Sequence, residues 1–197
     1  MQKRELPCFP LKMMLLPGEK MQLHIFEPRY RELFVDVSKN EKTFAIPFSE
    51  KLNMHQLGSL VTITEVLKQY SDGRVDLEIE CIKNFKLEKF FEPWNEKSYP
   101  GGEVLILNTI VYELDYDIIE LYWKYLQLIT NQTIELYKLK KTKLDEVAIS
   151  LNLTSFEKLS YLNFPPEKKI NFIKSRLKYL TLLHNQEANT ENNIYLN

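Results

Sequence analysis

The first half of the chain alternates between apolar and polar residues as β-strands do. In residues 75–81 (VDLEIEC) every second residue is apolar and each residue between is charged. Successive side chains of a strand point to opposite faces, so this period of two predicts one buried and one solvated face. Asp72-Gly73 separates this stretch from the apolar run 58–70. Such a dipeptide between two strands predicts a β-hairpin.

Further strands are predicted on both sides of the hairpin. Apolar segments at 8–16 and 20–26 are separated by Pro17-Gly18, which is a strong turn signal. Pro47 lacks a backbone N–H, so the strand that contains it suits the edge of a sheet. The remaining strand candidates are residues 43–48, 84–91 and 103–112, and residues 91–102 are predicted to form a loop.

One helix interrupts the β pattern. Pro28 fits the first helical position, where its missing N–H costs nothing. Apolar residues follow it at helical spacing, and the polar run 38–40 ends the pattern.

After about residue 113 the apolar period changes to three and four, which predicts helices. Residues 118–129 form an amphipathic pattern, and a shorter helix is predicted at 144–151. Thr154 is followed three residues later by Glu157, the spacing of a capping box. Pro165-Pro166 then opens a long final helix.

The chain therefore has two predicted parts. Residues 1–112 are β-rich and residues 113–184 are helical, while the Asn-rich end, 185–197, is expected to be flexible. This organisation predicts an α+β protein, or a β-barrel with an appended helical bundle.

Charge alters this picture only slightly. The formal net charge is -1, so the chain as a whole lacks the basic character of a nucleic-acid-binding protein. The balance is uneven, because residues 131–184 carry ten Lys or Arg against five Asp or Glu. Scattered lysines on solvated helix faces explain this excess most simply, and nucleic-acid contact is the alternative.

No motif for catalysis, metal binding or phosphate binding is recognisable. His24, His55 and His184 lack partners at ligand spacing, and Cys8 and Cys81 match neither a zinc site nor a redox pair. We therefore predict no catalytic residues, no metal, no cofactor and no enzymatic activity. The chain shows no signal peptide and no apolar run of about 20 residues, so we expect a cytoplasmic protein without membrane contact.

Aromatic residues supply the one candidate site. Phe90, Phe91, Trp94 and Tyr99 cluster around the predicted loop at 91–102. Large aromatic side chains on an irregular loop can anchor a protein partner. They can equally fold back as a lid over an open barrel end. Both alternatives remain open at the level of the sequence.

The stretch 6–30 resembles the start of the Lon N-terminal domain family. That family begins with Leu-Pro-x-Phe-Pro-Leu, an apolar strand, Pro-Gly, a second strand and Ile-Phe-Glu-Pro-Arg-Tyr. These motifs stand here at 6–11, 17–18 and 25–30. The likeness continues through the hairpin and, more weakly, through the helical part to about residue 183. Cys8 and Asn84 depart from the family's usual residues.

The resemblance implies a PUA-like β pseudobarrel with one inserted helix, followed by a C-terminal helical bundle. It also implies a non-catalytic protein-binding module, similar to the substrate-recognition domain of Lon, and an adaptor for unfolded or degron-bearing proteins. A protease or chaperone machine would be its partner. The alternatives are a PUA-like protein that binds RNA or nucleotides, and a hydrolase built from dispersed residues.

Overall fold

The computed structural model describes residues 2–51, 56–108 and 112–194, with side chains described as far as residue 187. These residues form six β-strands, five α-helices and one 3-10 helix. The elements are β1 (Gln2–Pro7), β2 (Lys20–Ile25), α1 (Pro28–Ser38), β3 (Thr43–Pro47), β4 (Leu57–Gln69), β5 (Val75–Phe91), β6 (Gly101–Ile106), α2 (Tyr116–Thr130), the 3-10 helix (Leu136–Lys141), α3 (Leu144–Ser150), α4 (Ser155–Asn163) and α5 (Pro166–Ile194).

The chain divides into two compact units. The first comprises Met1–Thr109 together with Thr154–Leu159, and the second comprises Ile110–Leu153 together with Ser160–Asn197. The short stretch Thr154–Leu159 therefore groups with the β-rich unit, although it lies within the helical half of the sequence.

The first unit is built on one antiparallel sheet with the strand order β1-β6-β5-β4-β3. The long strand β5 pairs with β2 through residues 75–80 and with β6 through residues 85–91. The hairpin between β4 and β5 is confirmed, and Gly73 adopts a φ of 87° in its turn. Glycine favours this position because a positive φ is sterically costly for residues with a Cβ.

The expectation of a strand at 8–16 is wrong. The N-terminal strand is β1, and the segment after it makes two isolated bridges, Cys8 with Ala45 and Leu11 with Phe48. Both bridges lead to β3 or the residue just after it. Because β1 and β3 stand at opposite ends of the strand order, this segment links the two ends of the sheet.

The core of the first unit lies between α1 and the sheet. Helix α1 begins at Pro28, as predicted, and the alternation at residues 75–81 places the apolar side chains of that part of β5 inward. Both cysteines are free and buried, and burial raises the pKa of each thiol to about 12. They therefore serve as small apolar side chains. The core includes Tyr30, Leu33 and Val37 from α1 and Val75, Leu77, Ile79 and Cys81 from β5.

The expectation that Gly101-Gly102 belongs to the loop is also wrong, because both glycines are paired in β6. A Cβ on Gly101 would overlap the indole of Trp94, and one on Gly102 would lie 2.7 Å from Cδ1 of Leu87. Close packing therefore explains the two glycines. The predicted strand 103–112 ends earlier, at Ile106, and its residues 109–111 lie outside the described part of the chain.

The helices are close to the predicted ones, with two differences. The 3-10 helix Leu136–Lys141 had no sequence signal, and α5 extends to Ile194, past the expected end near His184. The predicted capping box is confirmed: the backbone N–H of Thr154 donates to Glu157 Oε2 at 2.8 Å, and the N–H of Glu157 donates to Thr154 Oγ1 at 3.3 Å.

Candidate functional site

The four aromatic residues of the sequence-predicted site do not form one cluster. Phe90 lies on β5 with 41% of its surface exposed, and Phe91 is the half-buried last residue of that strand. Trp94 is half-buried against the core and Tyr99 is buried, with ring centroids 6.2 Å apart. Phe90 faces a different cavity from Trp94 and Tyr99.

Trp94 and Tyr99 line a pocket of about 450 Å³ beside the C-terminal end of α1. The Tyr99 hydroxyl donates a hydrogen bond to Asp36 Oδ2 at 2.8 Å, and Lys97 Nζ lies 2.8 Å from the same oxygen. The hydrogen bond from Lys97 lowers the pKa of Asp36, while burial raises the pKa of Tyr99. The loop aromatics thus fold back onto α1, and the Tyr99 ring is not available to a partner.

Phe90 lines a larger groove of about 910 Å³, which we name the Phe90 groove. Its apolar lining includes Phe90, which is 41% exposed. The rest of the lining is polar or charged, and an exposed aromatic side chain among apolar and polar residues is a common feature of protein-binding surfaces. The apolar lining comes from Pro10, Tyr30, Pro47, Phe48, Leu57, Leu87 and Phe90.

Arg29 lines the Phe90 groove together with Tyr30 and Glu92. Arg29 donates to Glu27 Oε2 at 3.1 Å and to Glu92 Oε1 at 3.0 Å. Its guanidinium carbon also lies 4.6 Å from the centroid of the Tyr30 ring. These ion pairs are partly exposed and contribute little to stability, but they hold the Arg29 guanidinium over the Tyr30 ring.

A second exposed phenylalanine lies next to a groove residue. Phe156, in the first turn of α4, is 45% exposed and packs edge-on against Phe48 at a centroid distance of 5.6 Å. Both residues belong to the first unit. Sequence reasoning missed Phe156, because its position beside Thr154 was attributed to the capping box alone, and its partner Phe48 is distant in the sequence.

The polar groups of the first unit are mostly satisfied by one another. On the solvated face of β5, Asp76 accepts a hydrogen bond from the Tyr70 hydroxyl at 2.8 Å and lies 2.5 Å from Nδ1 of His24. These contacts, led by that with His24, hold the pKa of Asp76 below its usual range. Within the described ranges, no group of three His, Cys, Asp or Glu side chains is placed to hold a metal ion.

Comparisons with known proteins agree with this architecture. The crystal structure of a Lon N-terminal domain protein from Xanthomonas campestris superimposes on this chain with a TM-score of 0.62 and 23% sequence identity. The match covers 90% of this chain and 96% of the Xanthomonas chain. The N-terminal domain of the Mycobacterium avium complex Lon protease has 15% sequence identity and a TM-score of 0.60. This match covers 92% of this chain and 98% of the mycobacterial chain. Both share the α+β fold predicted from the sequence.

The fold is therefore that of a Lon-type N-terminal domain. A family model described as "ATP-dependent protease La (LON) substrate-binding domain" matches residues 5–179, and the chain belongs to this family. The resemblance noted in the sequence is thus confirmed. No curated protein matches the chain significantly. Of the helices that the structure describes, none is long and apolar enough to cross a membrane.

Proposed function

We propose that this protein is a non-catalytic protein-binding module that uses the Phe90 groove to recognise unfolded or degron-bearing segments. The description of its family as substrate-binding supports a role in protein recognition. The single observation that carries the assignment to this groove is Phe90, which is 41% exposed beside an apolar lining. Unfolded segments expose the apolar side chains that such a surface binds.

The size and lining of the groove suit an extended segment. Its volume of about 910 Å³ lies near the upper end of ordinary ligand pockets, which run from about 300 to 1,000 Å³. Burial of apolar surface supplies about 25 cal/mol per Å². Because association also costs translational and conformational entropy, contact with two or three apolar side chains of a client should give only moderate affinity, which suits a module that must also release its client.

An adaptor role follows from this proposal. A module that binds clients without processing them needs a second partner, which we propose to be a protease or chaperone machine in the cytoplasm. A crosslinking pull-down from a cytoplasmic extract, with the Phe90→Ala variant run in parallel, tests this role. Subunits of such a machine should be enriched equally by both baits, and unfolded clients more strongly by the wild type than by Phe90→Ala.

The direct test measures binding of a fluorescently labelled, permanently unfolded protein by fluorescence anisotropy. We expect Phe90→Ala to weaken binding about tenfold, because truncation of an aromatic anchor residue typically costs about 1 kcal/mol or more. Phe26→Ala is the matched control, since Phe26 is 58% exposed and stacks on His24 instead of lining the groove. Unchanged binding by Phe90→Ala would refute the groove assignment, and no binding by the wild type would refute the function.

A second candidate function, binding of single-stranded RNA, is favoured by one observation in the second unit. The 3-10 helix carries Lys138, Lys140 and Lys141, all exposed, beside Tyr137, which is 63% exposed. An exposed aromatic ring among lysines is suited to stacking with a base next to phosphate contacts.

Salt dependence tests the RNA alternative. If RNA binds this helix, its affinity should fall steeply with salt, and the double variant Lys140→Gln/Lys141→Gln should reduce that slope by one to two units. The double variant Lys83→Gln/Lys86→Gln, on exposed positions of β5, is the control. Absence of RNA binding at low salt would eliminate this candidate.

A further inference from the structure

A third cavity of the first unit lies between α1 and the turn of the β4–β5 hairpin. It measures about 510 Å³ and we name it the hairpin pocket. Helix α1 contributes Phe34, which is half-buried against the core, and Val35, which is 46% exposed. The hairpin contributes Tyr70 and the buried Val75. The pocket is therefore an apolar cavity with an opening to solvent.

Two arginines lie at this pocket, and they differ in their partners. Arg74 donates from Nε to Asp72 Oδ2 at 2.7 Å, and its backbone N–H donates to Asp72 Oδ1. Arg31 donates from Nη1 to the backbone carbonyl oxygen of Asp72, which carries no formal charge. In the described part of the chain Arg31 makes no ion pair, whereas Arg4 and Arg29 each pair with a carboxylate.

The side chain of Arg31 contacts the turn of the β4–β5 hairpin. Gly73 adopts a positive φ, and a Cβ at this residue would stand 3.1 Å from Arg31 Nη1. The guanidinium therefore lies directly against the glycine. An arginine has five N–H donors in a rigid fork. Among the described residues Arg31 donates one hydrogen bond, to Asp72, so its other N–H donors remain for a ligand.

Charged groups of both signs surround the pocket. Glu32 also lines it, and its Oε2 accepts hydrogen bonds from the backbone N–H and hydroxyl of Ser98, while Lys97 lies near its other oxygen. The Asp72 carboxylate pairs with Arg74 and also interacts electrostatically with Arg31. Lys68 Nζ lies 4.5 Å from the centroid of the Tyr70 ring and interacts electrostatically with Asp76. Selection of a client at this pocket therefore depends on the unused donors of Arg31 and not on an excess of positive charge.

We propose that the hairpin pocket is a second docking site for client proteins, which takes a segment with an acidic residue next to an apolar one. The apolar side chain enters the cavity between Phe34 and Tyr70, and the neighbouring Asp or Glu carboxylate pairs with the free donors of Arg31. Paired donors of arginine match the two oxygens of a carboxylate. This inference rests on the proposed protein-binding function and names the client chemistry that the Phe90 groove does not select.

The test compares two labelled ten-residue peptides that differ only in a Leu-Glu or Leu-Gln pair at their centre. We expect the wild-type chain to bind the Glu peptide about fivefold more tightly at low salt, which is the size of a partly exposed charge-assisted contact. Arg31→Gln should abolish this preference, and Arg31→Lys should keep part of it. Arg4→Gln is the matched control, because Arg4 already pairs with Glu41.

Each outcome separates this inference from the proposed function. Equal binding of both peptides by the wild type, or a preserved preference in Arg31→Gln, overturns the hairpin pocket while binding of the unfolded client stands. Loss of client binding in Phe90→Ala with an intact Glu preference supports two independent sites. Displacement of the Glu peptide by single-stranded RNA would show that the pocket takes phosphates and would overturn the acidic-segment assignment. A thermal unfolding curve checks that each variant is folded.

Discussion

Asn84 donates a hydrogen bond from Nδ2 to the backbone carbonyl oxygen of Leu15, 2.8 Å away. The same nitrogen donates to the carbonyl oxygen of Gly58 at 3.2 Å. Ser59 Oγ accepts from the N–H of Leu15 at 2.9 Å and donates to its carbonyl oxygen at 3.1 Å. Side chains of β4 and β5 thus satisfy backbone groups in the segment 8–16 that a neighbouring strand would otherwise satisfy.

Asn84→Ala should lower the free energy of unfolding by about 1–3 kcal/mol, because it removes the two buried hydrogen bonds that the amide donates to Leu15 and Gly58. Urea unfolding followed by circular dichroism measures the change. Gln22→Ala, at an exposed position of β2, is the control and should change stability by less than about 0.5 kcal/mol. An equally small effect at Asn84 would mean that water replaces the amide.

Glu19 and Lys158 form an ion pair with side chains only 13% and 8% exposed. Lys158→Met should cost about 3 kcal/mol, because it leaves the Glu19 carboxylate buried without its partner. The double variant Glu19→Gln/Lys158→Met should recover part of this loss, because it also removes the unpaired negative charge of the Glu19 carboxylate. Urea unfolding of the two single variants and the double variant gives the coupling energy.

Lys20→Met is the control for this pair, since Lys20 is 55% exposed where it meets Glu78. It should cost less than about 1 kcal/mol. A cost as small at Lys158 would show that the buried pair contributes little to the stability of the first unit, to which both residues belong.

Asp36 should make stability depend on pH in the acid range. Its pKa is lowered, first by the hydrogen bond from Lys97 and then by that from Tyr99. A carboxyl whose pKa is lower in the folded state stabilises the fold above its unfolded value of about 3.9, and this contribution is lost as pH falls through the folded pKa. Asp36→Asn should therefore be destabilised at pH 7, with the difference from wild type shrinking below about pH 4.

Urea unfolding at pH 7, 5, 4 and 3 measures this dependence on pH. Glu5→Gln is the control, because Glu5 is exposed on β1. A difference between Asp36→Asn and wild type that stays constant over the whole range would contradict the assigned role of Asp36.

Gly101→Ala should displace the indole of Trp94, because a Cβ at this position overlaps ring carbons of the tryptophan. The displaced ring moves toward water, so its fluorescence emission should shift to the red, and stability should fall by about 1–3 kcal/mol. A Trp123→Phe background isolates the signal of Trp94. Lys86→Ala, at an exposed position of β5, should leave the emission unchanged. No shift in Gly101→Ala would mean that the indole is not fixed against β6.

Several elements were predictable because their cause is local. The β4–β5 hairpin follows from alternation and from the glycine in its turn, and α1 begins at Pro28 because proline suits that position. The capping box at Thr154 needs only two residues three apart. The predicted strand at 8–16 failed because an apolar run does not show whether backbone partners come from a strand or from side chains such as Ser59.

The candidate site was only partly predictable. Four aromatic residues close together in sequence could be binding anchors or a lid that folds back, and the structure buries Tyr99 while Phe90 lines the groove. The sequence did not single out Phe156 or Arg31, because the residues that they contact are distant in sequence. Phe156 packs against Phe48, and Arg31 donates to the carbonyl oxygen of Asp72.

The sequence by itself determined the period of each element, most of the turns and caps, and membership of the Lon N-terminal family. These properties depend on backbone preferences and side chains within a few residues of one another. Only the tertiary structure decided which side chains are buried, which remain exposed and which charges lack a partner. Such properties depend on contacts between distant segments, as when β5 directs Phe90 outward while α1 holds Tyr99 through Asp36.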